Sequence, residues 1–170
     1  MKRFESNVRQ IPYSQESVYS KVSDLSNLSA LADMIPADQK EMVSIENLQC
    51  TPDQVSCTIS PIGQVEFGVV SREPSKCVKL ETISSPIQFI MWIQIVSTGS
   101  SSCKIKLTAD ADLNMFMAKM AEKPITEALD KLADMLAMIP FEQWELISPE
   151  VISRMKEYYI NQTNNQNNNE

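Results

Sequence analysis

The chain has 170 residues, 43% of them hydrophobic, a net charge of −7 and no histidine. That size fits one domain with a sizeable core. Its acidic balance argues against nucleic acid and anionic membrane surfaces, both of which call for positive charge. Without histidine, Ser-His-Asp and Cys-His nucleophiles are excluded, together with the commonest metal ligand. The three glycines, Gly63, Gly68 and Gly99, cannot build a phosphate loop or a dinucleotide fingerprint. The longest apolar run, residues 89–96, is interrupted by Gln94 and is far too short to span a bilayer. Nothing at the N-terminus reads as an export signal. The expected location is the cytoplasm, and Cys50, Cys57, Cys77 and Cys103, which form no C-x-x-C pair, are expected as reduced thiols.

In chain order, residues 3–10 alternate as a half-buried strand, with Phe4, Ser6 and Val8 inward. Pro12 stops it. Ser14 is placed to cap a helix carrying Val18, Val22 and Leu25 on one face. Ser26 or Asn27 caps a second short helix through Leu28, Leu31 and Ile35, ended by Pro36.

Six strand-like segments follow. Val43 and Ile45 begin the first, with a bulge or the strand's end expected near Asn47 and Leu48. Turn residues at 51–53, 61–63, 73–75, 84–86 and 98–101 separate the others. The inward sets are Val55, Cys57 and Ile59, then Val65, Phe67 and Val69, then Val78, Leu80 and Thr82. Phe89, Met91, Ile93 and Ile95 come next, which turns Trp92 outward, and the last set runs from Cys103 through Leu107 to Ala111. Such short connections make the sheet antiparallel.

Residues 114–139 read as one long helix capped by Asn114, with Pro124 inside it as a kink or restart. Phe116, Met117 and Met120 form a first apolar patch. Ile125, Leu129, Leu132, Leu136 and Ile139 form a 3.6-period stripe. The expected domain is 1–140, followed by a helical extension over 141–160 and a disordered Asn/Gln-rich tail over 161–170.

The Ile11-Pro12, Val18-Tyr19 and Ser23-Asp24-Leu25-Ser26-Asn27-Leu28 segments resemble the opening of the START-like, or SRPBCC, superfamily. The order strand, two short helices, six strands and long helix is similar over about residues 3–139. This resemblance implies an α+β helix-grip fold, in which a curved antiparallel sheet of about seven strands wraps around the C-terminal helix. It also implies a cavity between sheet and helix for apolar ligands. It transfers no catalytic residue.

The chain has ten methionines, several of them on the last helix and Met91 on the strand expected to face it. Thioether side chains adapt to varied apolar shapes and could line a cavity; ordinary core packing is the plainer reading. The expected ligand-lining set is Phe67, Val69, Leu80, Met91, Ile93 and Leu107 on the sheet, with Phe116, Met120 and Met135 on the helix. Asp110 and Asp112 share a face and offer two carboxylates, read either as a cation site or as a solvated edge. Neither a metal nor a cofactor is expected.

Three functions compete. The first is a cytoplasmic binding protein for a small hydrophobic ligand (a lipid, acyl chain or polyketide-like molecule). The second is a cyclase/dehydrase-type enzyme using an inward group such as Tyr19 or Glu66. The third is a protein-interaction, chaperone-associated module. A homodimer through the outer sheet face or the extension is the remaining partner.

Overall fold

A computed structural model describes residues 1–28, 45–59 and 63–142, together with positions 157 and 161. One antiparallel sheet dominates it. Its strands are β1 (Lys2–Glu5), β2 (Arg9–Ile11), β3 (Ile45–Cys50), β4 (Gln54–Ile59), β5 (Gly63–Glu73), β6 (Cys77–Ser84), β7 (Phe89–Gly99) and β8 (Ser102–Ala111). The order is β1-β8-β7-β6-β5-β4-β3, with β2 also pairing with β8. Eight strands thus fill seven positions, because β1 and β2 follow each other along one edge. The helix-grip architecture is completed by α1 (Gln15–Val22), a 3-10 turn (Leu25–Asn27) and α2 (Met115–Met138).

The first strand differs from the sequence expectation at one point. Glu5 pairs with Thr108 and Arg9 with Ile105, so this edge spends four residues where β8 spends three. The extra residue reverses the alternation. Phe4 is buried, but Val8 is 51% exposed and Ile11 takes the next inward place. Ser6 holds the break together. Its N–H donates to the Leu107 carbonyl at 2.9 Å, and its hydroxyl accepts from the Leu107 N–H at 2.9 Å.

Ser14 caps α1 by accepting from the Ser17 N–H at 3.2 Å, and Val18, Val22 and Leu25 are all buried. Asp24 caps the 3-10 turn by accepting from Ser26 N–H at 3.0 Å. The second short helix expected through Ile35 runs outside the described residues. The bulge near Asn47 is present: the register of β3 on β4 shifts between Glu46 and Gln49, and Asn47 adopts a positive φ of 55°. That conformation suits asparagine better than most residues.

Asn114 caps α2, accepting from the Met117 N–H at 2.8 Å. Pro124 lies inside α2 without ending it. The helix packs near β1, β2 and β8. Two carboxylates one turn apart fasten it there: Asp130 accepts from the Asn7 N–H at 2.6 Å, and Asp134 pairs with Arg9. Phe141, just beyond the helix, is buried and meets Tyr13 edge-on at 6.2 Å. Most of the 141–160 extension and the 161–170 tail lie outside the described residues.

Candidate functional site

The inner face of the sheet is laid out in cross-strand rows. One row runs Val55, Phe67, Thr82, with Thr82 accepting from the Phe89 N–H at 3.2 Å, and on to Phe89 and Ala111. The Phe67 and Phe89 rings lie 6.2 Å apart. The next row is Val69, Leu80, Met91, Ala109 and Phe4. Below it come Val78, Ile93 and Leu107, then Ile95 and Ile105.

Burial divides these rows. Val78, Leu107 and Ile105 are 0% exposed, Ile95 2% and Ile93 6%. This lower part is closed by α1, which lies against β7, and by the 3-10 turn, which lies against β3 and β4. Leu129, Ala133 and Leu136 of α2, all buried, belong to the same core cluster. In the upper rows Phe67, Val69 and Met91 are only half-buried, although all three pack against the core. Ile125 and Leu132 on α2 are half-buried in the same way.

The nine expected lining residues therefore fall into three groups. Phe67, Val69, Leu80 and Met91 come together on two adjacent rows of β5, β6 and β7. Ile93 and Leu107 are buried in the closed part, whereas Met135, also buried, stands apart from that core cluster. Phe116 and Met120 are 73% and 66% exposed. Helical phase explains the last pair. At 3.6 residues per turn, Phe116 stands roughly 140–160° and Met120 roughly 160–180° away from the directions of Leu129 and Leu136. They point outward, whereas Ile125 and Leu132 stay within about 60° of that face. Phase was legible in the sequence and identifies Ile125 and Leu132 as the helix residues turned toward the sheet.

The other singled-out groups have definite places. Tyr19 is half-buried against the core. Glu66 pairs in register with Ser56 and Ser84, between inward Val65 and Phe67, and so faces outward. Asp110 is held by Arg3 through two bonds of 2.8 and 3.0 Å, which keep its carboxyl below the ordinary value. Trp92, on the outer face, sits between the cations of Arg3 and Lys79, at 5.4 and 5.7 Å from its ring. Burial raises the thiols of Cys57, Cys77 and Cys103 above their ordinary value, so they stay protonated near neutrality.

No protein-family model and no curated protein matches the sequence. Solved structures do match. Truncated norcoclaurine synthase from Thalictrum flavum is 18% identical, the match covering 80% of this chain and 91% of that one, with a TM-score of 0.61. A START superfamily protein from Mycobacterium smegmatis is 16% identical over 79% of this chain and 94% of its own, with a TM-score of 0.56. A Thermobifida fusca protein is 16% identical over 85% and 96%, with a TM-score of 0.58. At such identities the likeness is one of fold. Together with the sheet order and the closing helix, it establishes that this chain has the START-like, helix-grip fold.

Proposed function

We propose that this is a cytoplasmic binding protein holding a small hydrophobic molecule between the sheet and the C-terminal helix. The observation that carries the reading is the half-burial of Phe67, Val69 and Met91 on an inner face that is otherwise tightly packed. Large apolar side chains left partly uncovered inside a fold gain free energy when an apolar ligand covers them, at about 25 cal/mol per Å². Concave, mostly apolar surfaces are the usual form of small-molecule sites. One protein of this fold, norcoclaurine synthase, has been seen in complex with dopamine and hydroxybenzaldehyde.

Native mass spectrometry of freshly purified protein tests the reading, together with titration by a fluorescent apolar probe. A bound small molecule, or micromolar probe binding lost in Met91→Trp, is the expected result. Absence of both would end it. A second reading, a protein-interaction role, is favoured by the exposure of Met115, Phe116 and Met120 at one end of α2, since clustered surface apolar groups mark contact sites. Substituting Phe116 with serine leaves probe binding intact under the first reading and abolishes partner capture under the second.

A further inference from the structure

The two halves of α2 meet different surroundings. From Ile125 onward the helix buries Leu129, Ala133, Met135 and Leu136. From Asn114 to Pro124 no residue is buried. Met115, Phe116 and Met120 are 82%, 73% and 66% exposed there, and Met117 is exposed beside them. At about 200 Å² per large side chain, these four leave roughly 500 Å² of apolar surface in water. A patch of that size on one chain often marks a contact site.

The charges around the patch say what fits it. Lys119 and Lys123 are balanced by Glu122 and Glu127 on the same stretch of helix. An anionic bilayer or a nucleic acid gains nothing from a surface with no net charge. Lys123 already lies 3.9 Å from Glu127, one turn on. Lys119 and Glu122 are exposed and, among the described residues, enter no ion pair. At 100° per residue both stand on one flank of the Phe116–Met120 stripe, about 60° and 120° round from Phe116.

That placement is self-complementary. Lay a second copy of the helix antiparallel, with the twofold axis passing between Met120 and Ala121. Lys119 of each copy then comes level with Glu122 of the other, on the same flank. Met120 meets Met120, and Phe116 lies over Pro124 and the Lys123 stem of the opposite copy. A twofold contact makes every pairing twice, so one unlike pair in the sequence becomes two across the interface.

We infer that the N-terminal half of α2 is a homodimer interface, packed through Phe116 and Met120 and keyed by reciprocal Lys119–Glu122 pairs. This rests on the protein-interaction reading of the patch and names its partner as a second copy of the chain. The hydrophobic-ligand reading is independent of it. Two patches bury about 1,000 Å² together, the lower end for a specific interface. The dimer is therefore transient, with the chain monomeric near about 1 μM and paired above about 100 μM.

Sedimentation velocity of the full chain across that range tests it. The expected result is a mass that climbs toward twice the monomer as concentration rises. Phe116→Ser should raise the dissociation constant at least about tenfold. Lys119→Glu should do the same, because it sets like charges opposite each other. Lys119→Glu combined with Glu122→Lys restores the attraction and should return the constant to within about threefold of the native one. A double variant no better than Lys119→Glu alone overturns the keyed antiparallel geometry. A chain monomeric at every concentration overturns the dimer; the interaction reading then survives only if Phe116→Ser still abolishes capture of a different protein. Binding to phosphatidylcholine vesicles that is lost in Phe116→Ser would assign the patch to a bilayer and overturn the dimer as well.

Discussion

The lower and upper halves of the inner sheet face are built from the same alternating apolar residues and differ in what covers them. Below, the Val78, Ile93, Leu107 row meets α1, and the chain edge around Ser6 holds Leu107 from the side. Above, Phe67, Val69 and Met91 are as large but only half-buried, beside the buried Leu80 and Phe89. The contrast shows that a strand's own pattern says which way a side chain points, not whether anything meets it there. Packing against a second layer decides that, and the second layer is set by residues far away in sequence.

The sharpest way to break this comparison is to shorten one residue in each half. Leu107→Ala should cost roughly 2–5 kcal/mol, the range for a buried leucine whose site cannot collapse. Met91→Ala should cost about 1 kcal/mol, because a half-covered side chain loses less transfer free energy and leaves no sealed void. Urea unfolding of both variants measures the difference, and equal losses would show that the upper half is as closed as the lower. Next in size is Ser6→Ala. It leaves the buried Leu107 N–H without its acceptor, which should cost about 1–3 kcal/mol. Ser6→Thr, which keeps the hydroxyl, should recover part of that loss in the same experiment.

Much of the architecture was legible beforehand, for identifiable reasons. Alternation placed Phe89 to Ile95 and Cys103 to Ala111 inward, and short turns made the sheet antiparallel. The Ser14 cap, the Asn114 cap and the bulge at Asn47 were readable because each depends on a few neighbouring residues. Val8 was not, since a single extra residue opposite β8 flips its phase and the partner register lies about a hundred residues away. Of the expected lining set, alternation brings Phe67, Val69, Leu80 and Met91 together on the inner sheet face. On the helix the reading was blurred by residue type. Phe116 and Met120 look like core residues but stand on the outer face, and only their angular offset from Leu129 and Leu136 reveals it.

The helix therefore offers a smaller version of the same contrast. Leu136→Ala, at a site 2% exposed, should cost roughly 2–5 kcal/mol. Phe116→Ser should stay within about 0.5 kcal/mol, as for an ordinary surface site. Thermal unfolding of the pair checks both. A large loss at Phe116 would mean that its ring is covered in solution and that this end of α2 has a packing partner.

The smallest expected effect lies on the outer face, where charges pair across β1 and β8. Asp110 accepts two hydrogen bonds from the Arg3 guanidinium, and these, with the Coulomb attraction, outweigh its partial desolvation and hold its carboxyl below the ordinary value of 3.8. In the unfolded chain the carboxyl returns to that ordinary value and so binds its proton more readily. Stability from the pair is thus complete above about pH 4 and is lost as pH falls through the depressed folded value. Because the Arg3 side chain is 60% exposed, solvent and salt weaken the pair strongly. Asp110→Asn should therefore be slightly less stable than the native chain at pH 7, with the gap closing as the pH drops below 4 and shrinking at high salt. Denaturant titrations at two pH values and two salt concentrations read both trends. A gap that stays constant with pH would assign the loss to packing around Trp92, which stacks against the same Arg3 guanidinium, and not to the ion pair.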